Sequence, residues 1–339
     1  MLNFCTLFNT YYLAKGLALY YSLEKNCKSF HLYVFAFDET TYRYLSDKRL
    51  SHCTIINQKD FENEALLKVK PERSLAEYCW TCTPYTIKYC LETYQLDNCT
   101  YLDADTFFYQ DPSFIIDKMG NNSVLITPHN YHPLYDQAAM SGIYCVQFTT
   151  FKNDLNGLKV LDWWASACLK WCKAYYEDGK MGDQKYLDSW PYMFEGVYVE
   201  KGKGVGLAPW NTLNHAISSF EDKLQVDHEP LVFYHFHDLK HLSNGEWYLG
   251  GYSISKSIKS DIYFPYIQLL LTIQKEVSMI FSNVDVLGTV NISKVNDRRL
   301  KFKIGIYIID FKKAWKQFYN ALFFVARRKY YKDNYIKIN

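Results

Sequence analysis

The sequence predicts an α/β sandwich with a mainly parallel sheet. Three observations lead there. Over the first hundred residues, short apolar runs alternate with stretches of helical periodicity. The runs are short enough to be buried strands. After Asp105 the pattern changes to strands separated by long connections. A length of 339 residues with 49% hydrophobic content suits one large domain, or one domain with an appended module.

In order, residues 3–8 (NFCTLF) read as the opening buried strand, and residues 11–25 as a helix carrying Leu13, Leu17, Tyr20 and Tyr21 on one side. HLYVFAF, closed by Asp38, is a second strand, and CTIINQ (53–58) a third. Residues 72–94 form a long helical stretch that Pro84 is expected to interrupt. NCTYLDAD (98–105) is a fourth strand. SVLITP (123–128), GIYCVQF (142–148) and LVFYHFH (231–237) follow as apolar runs. DWWASACLKWCKAYY (162–176) is a helix, with Trp163, Trp164 and Trp171 mostly serving the core. Further amphipathic helices are expected at 262–281 and 308–330.

Composition excludes several classes. Aromatic residues reach 18%, too many for a disordered chain. The first ten residues carry no basic segment, and no run of ~18 apolar residues occurs, so neither a secretory signal nor a transmembrane helix is expected. A cytoplasmic location follows as an expectation. The ten cysteines end at Cys172 and include one C-x-x-C, Cys79 and Cys82. Packed free thiols are the expectation, because a zinc site needs a second pair and only Cys168 with Cys172 roughly offers one. The net charge of +2 hides an asymmetry: residues 291–339 hold 13 Lys and Arg against 3 Asp.

The most informative segment is NCTYLDADTFFYQDP. An apolar strand, Cys99–Leu102, runs into Asp103-Ala104-Asp105. Ligands of parallel sheets gather at the carboxyl ends of strands. Two close carboxylates leaving a core repel each other, and a divalent cation relieves the conflict. Oxygen ligands suit Mg²⁺ or Mn²⁺, which usually bridge to substrate phosphates. Strand alternation would turn Asp103 and Asp105 to one side. His235 and His237 alternate on the late apolar run and face one side together, as metal-ligating imidazoles can.

The first 240 residues or so resemble the GT-A glycosyltransferases, most closely the family-eight-like bacterial enzymes. The resemblance is carried by TLFNTYYLAKGLAL, by R-S-x-x-E-Y-x-W-T-x-T-P, by Y-L-D-A-D-T-F-F-Y-Q-D-P, by a later G-D-Q and by Y-H-F-H-D-L-K. It implies a GT-A, Rossmann-like mixed sheet flanked by helices over residues 1–245, with a mostly helical extension at 246–339. It also implies transfer of a sugar from a nucleotide-diphosphate donor, UDP above others, to a glycan or lipid-linked acceptor. Carried over by residue, Thr6, Asn9 and Tyr11 would surround the nucleobase and ribose. Arg73 would lie near the diphosphate or base. Asp103 would contact ribose or metal, and Asp105 the Mn²⁺ or Mg²⁺ ion. His235 would be a further metal ligand, and Lys240 would meet the diphosphate. The family's usual spacing has Gly three residues and Lys six residues after the His. Here those places hold Asp238 and His241, with Lys240 one residue early, so His237 competes with His235 as the ligand. The family's N-S-G turn reads Met140-Ser141-Gly142.

Asp183 in MGDQKYLDSWP is the candidate base or sugar-orienting group, with Asp188 behind it; a helix cap is the alternative for Asp183. Trp210 and Asn211 are expected to close over sugar or acceptor. Trp80 reads as core. In residues 308–328, Phe311, Trp315, Phe318, Leu322 and Val325 follow helical steps, with Lys312, Lys313, Lys316, Arg327 and Arg328 elsewhere on the wheel. Such a helix can lie in a membrane interface, at the inner face for a cytoplasmic enzyme, or can dock on the core. Surface-glycan synthesis, whose acceptors are often lipid-linked, would use such a placement. A nucleotidyltransferase would need a Gly-rich basic loop that NTYYLAKG does not offer. A non-catalytic carbohydrate- or membrane-binding scaffold is the alternative from another class. No nucleic-acid module accompanies the basic tail, so no nucleic-acid partner is expected.

Overall fold

The computed structural model describes residues 1–221, 223–292 and 334–338. The expected helix at 308–330 and its basic face lie outside the described residues. A seven-stranded sheet forms the centre. Its strands are β1 (Leu2–Phe8), β2 (Phe30–Ala36), β3 (Cys53–Asn57), β4 (Asn98–Leu102), β6 (Val124–Pro128), β7 (Tyr144–Lys152) and β8 (Val197–Val199), in the order β3-β2-β1-β4-β7-β6-β8. The short strand β5 (Thr106–Phe108) pairs outside this sheet with Phe233–His235.

The sheet is mixed but mainly parallel: β7 alone runs against the other six strands. β3, β2, β1 and β4 run parallel, as helix crossovers require, and β7 then enters antiparallel to both β4 and β6. The chain therefore builds outward from β1 in two directions: β2 and β3 lie on one side and β4 on the other. The carboxyl ends of β1 and β4 are adjacent at this reversal, which is where open α/β sheets bind ligands.

Alternation along the strands divides the core into two. Phe4, Phe8, Leu32, Val34, Leu102 and Phe148 pack toward the helix Leu13–Asn26 and toward Phe264–Ile280. Cys5, Leu7, Phe35, Tyr101, Val146 and Phe151 pack toward the helices Leu75–Thr93 and Leu155–Lys170. All ten cysteines are free thiols. Trp164 is wholly buried in the second cluster.

Three elements differ from the sequence reading. The helix Leu75–Thr93 runs through Pro84 without a break, started by a reciprocal capping box between Ser74 and Glu77. The tryptophan-rich helix begins and ends earlier than expected, at Leu155–Lys170. β4 stops at Leu102, and residues 103–105 form a turn. Among the described residues, no helix is long and apolar enough to cross a membrane.

Gly157 shows why one glycine is needed in the first turn of Leu155–Lys170. A Cβ built there would lie 2.2 Å from the Lys152 carbonyl oxygen, with the Asp154 cap 3.3 Å away. Gly157→Ala gains about 1 kcal/mol in helix propensity but forces the helix off the end of β7. The expected net result is a loss of about 1–3 kcal/mol, measured as a lower urea midpoint.

Candidate active site

The site is built where β4 leaves the core. The Asp103 amide donates to the Gln147 carbonyl on β7, which holds the strand's end against its neighbour. The turn is closed by the Thr106 amide and hydroxyl, which both donate to the Asp103 carbonyl. β5 then pairs antiparallel with Phe233–His235, with Thr106 opposite His235. The Phe236 amide also donates to the Asp105 carbonyl, at 2.8 Å. This main-chain ladder brings an imidazole from late in the sequence onto the two acids.

His235 Nε2 lies 3.1 Å from Asp105 Oδ1 and 3.8 Å from Asp103 Oδ2. Its Nδ1 bonds to Gln147 Oε1 at 2.8 Å, while the Gln147 amide nitrogen donates to Thr127. A carboxamide oxygen only accepts, so Nδ1 carries a proton. In the neutral ring the Nε2 lone pair therefore faces the carboxylates, which is the tautomer and orientation a metal ligand needs. The Cys145 Sγ, a carboxylate oxygen of Asp103 and a His235 ring nitrogen all lie within 4.8 Å of one another. Two carboxylates and a fixed imidazole at a strand's exit fit a divalent cation.

Lys15, on the buried face of Leu13–Asn26, reaches Asp105. Its Nζ lies 3.5 Å from Asp105 Oδ2 and 3.2 Å from the Leu239 carbonyl, and 4.4 Å from the centre of the Tyr12 ring. Burial alone would raise the Asp105 carboxyl, but Lys15 and His235 together hold it well below the usual range. Asp103 behaves oppositely: burial and the neighbouring Asp105 charge push it up to about 6 despite His235. His235 is raised well above an ordinary imidazole, because Asp105 outweighs its burial. His237 is lowered to about 4 and His129 to about 3, by burial and by the charge on His235.

These groups face a cleft of about 550 Å³. Its lining includes Asn9 and Tyr12 after β1, Trp80 and Thr83 on Leu75–Thr93, Asp103, Asp105, Asp183, His235 and His237. His129, Tyr131, Trp210 and Tyr252 form an aromatic wall. His129 stacks on Tyr131, and the Trp210 ring meets His235 and His237 edge-on. The expected residues thus divide. Asn9, Asp103, Asp105, Asp183, Trp210, His235 and His237 converge on the cleft.

The others lie elsewhere. Thr6 is inside β1, wholly buried, beside Val34 rather than at the strand's end. Tyr11 is 56% exposed, and its neighbour Tyr12 lines the cleft instead. The Arg73 guanidinium donates to the Leu169 carbonyl at the base of the helix Leu155–Lys170. Asp188 accepts from the Ile143 amide and pairs with Lys185, so it shapes the turn beneath Gly142. Asn211 is buried and spans the His129 and Gly206 carbonyls. Lys240 is paired with Asp238 and lies over the Tyr248 ring. Trp80, expected in the core, lines the cleft. Asp183 precedes the turn Gln184–Ser189 without a side-chain capping bond among the described residues.

Sheet order, reversal point and Asp-Ala-Asp turn together are those of the GT-A fold. The same fold is found in the galactosyltransferase LgtC, solved with donor and acceptor sugar analogues: TM-score 0.50 and 13% identity, over 80% of this chain and 96% of that one. The chain belongs to the family of the uncharacterized protein YfnF of Bacillus subtilis (strain 168), with which it is 33% identical over 252 residues, 72% of this chain and 83% of YfnF. The uncharacterized protein YfnD of the same organism is 29% identical over 275 residues, 78% of this chain and 87% of YfnD. No protein-family model matches the chain.

Asp183 provides a pH test. Burial, then the Asp103 charge, push its carboxyl from 3.8 to about 7. The folded protein therefore holds a proton that the unfolded chain releases, and stability falls as pH rises from about 4 to about 7. Asp183→Asn removes this penalty. Urea denaturation should show the variant gaining on the wild type by up to roughly 4 kcal/mol at pH 8 and little at pH 4.

Proposed function

We propose that the protein is a metal-dependent glycosyltransferase that moves a sugar from a nucleotide-diphosphate donor, UDP by resemblance, to a glycan or lipid-linked acceptor. The observation that carries this is the convergence of Asp103, Asp105 and His235 on a cleft at the reversal point of a GT-A sheet. LgtC, which shares the fold, is a galactosyltransferase that was solved with donor and acceptor sugar analogues.

Glycosyl transfer breaks the bond between an anomeric carbon and a diphosphate, and negative charge grows on the leaving phosphate. Asp103, Asp105 and His235 would hold Mn²⁺ or Mg²⁺, which supplies Lewis-acid stabilisation of that charge. Asn9 and Tyr12 border the cleft beside the end of β1 and suit the nucleoside. The wall of Tyr131, Trp210 and Tyr252 offers flat apolar faces to a sugar ring and limits water access. Asp183 faces the same space with a carboxyl poised near neutrality, the range in which a general acid or base works best. It takes the acceptor proton if the anomeric configuration inverts, and orients the sugar if it is retained. A scaffold without catalysis would leave the buried charges in this cleft without a use.

The decisive experiment is a screen of nucleotide sugars for nucleotide release with and without Mn²⁺. Asp105→Asn should lose on the order of a thousandfold in turnover while keeping a native circular-dichroism spectrum. Equal release by wild type and variant, or release indifferent to chelator, would reject the reading. Membrane contact is assigned to residues 308–328 on sequence alone. Flotation with anionic liposomes should weaken on changing Lys312, Lys313 and Lys316 to Glu, and equal flotation would discard that role.

A further inference from the structure

The buried face of Leu13–Asn26 is apolar except for Lys15 and Ser22. Lys15 is 5% exposed. An ammonium is removed from water at this cost only when it is paired. Its partners are Asp105 at 3.5 Å and the Leu239 carbonyl at 3.2 Å. Lys240, the other lysine near this segment, is taken up by Asp238. One positive charge is therefore built permanently against one of the two carboxylates that face the cleft.

The charges can be followed through loading. Once His235 gives up its proton, as ligation of a cation requires, Asp103 and Asp105 with Lys15 leave the site with one negative charge. A divalent cation entering alone would turn it positive, and at close range in a buried site that repulsion is large. A diphosphate brought in with the cation restores the balance. On the glycosyltransferase reading above, we propose that Lys15 is a positioning residue that sets the order of loading: it holds Asp105 and opposes a lone divalent cation, so that the cation is held tightly only together with a diphosphate. Linkage then requires the cation to tighten the diphosphate by the same factor.

The test is Mn²⁺ binding, read as loss of the free-ion electron paramagnetic resonance signal, with and without UDP. It compares wild type, Lys15→Met and Lys15→Arg. Wild type and Lys15→Arg should bind Mn²⁺ weakly alone and far more tightly with UDP. Lys15→Met should bind Mn²⁺ alone at least about tenfold more tightly than wild type and gain less from UDP. A merely structural lysine would give the opposite sign, because its loss loosens the ligand set. Unchanged or weakened binding of Mn²⁺ alone by Lys15→Met overturns the proposal. Lys15→Gln, which keeps a donor for the Leu239 carbonyl, serves if Lys15→Met does not fold. Loss of the native near-ultraviolet spectrum in both makes Lys15 a structural counter-ion and also overturns it. Wild type that takes up no Mn²⁺ even with UDP would sink the glycosyltransferase reading itself, whereas normal uptake with an unaltered Lys15→Met profile sinks only the role of Lys15.

Discussion

Two carboxylates emerging together from a buried strand are the constraint around which this molecule is arranged. Asp105 is buried and Asp103 half-buried, and their own repulsion is strong. The fold answers with positive charge from two directions. The helix after β1 brings Lys15, and the strand Phe233–His235 brings an imidazole oriented by Gln147. Burial first, and then this concentration of charge, perturbs the acids and histidines of the cleft.

Much of this was legible in the sequence. The apolar runs marked β1 to β4, β6 and β7 but not the short β8, and the acids after Leu102 marked the end of β4 at the site. His235 and His237 were legible as a pair because both stand on an apolar run. What separates them is tertiary: the ladder between β5 and Phe233–His235 sets His235 on the acids and leaves His237 beside Trp210. Strand alternation was the wrong reason for the acids sharing a side, since they lie in a turn.

The residues that escaped the reading share a physical character. Lys15, Gln147 and Cys145 are polar or soft groups within apolar segments, where a single sequence looks the same whether the group caps a cavity or fills a core. The clearest available signal was a lysine among Leu13, Ala14, Gly16 and Leu17. Conversely, Thr6, Arg73, Asp188 and Lys240 were expected at the site but are engaged elsewhere. Thr6 is inside a paired strand, Arg73 binds a helix-end carbonyl, and the other two are in local ion pairs.

The three-residue pairing of Thr106–Phe108 with Phe233–His235 has a consequence for biosynthesis. The acids leave the ribosome long before the histidine that meets them. Until that late strand docks, β5 has an unpaired edge and the acids have only Lys15 for company. Assembly of this charged site is therefore a closing event for the nascent chain. A truncated product ending before Leu231 could form much of the central sheet and still lack the imidazole that completes the site.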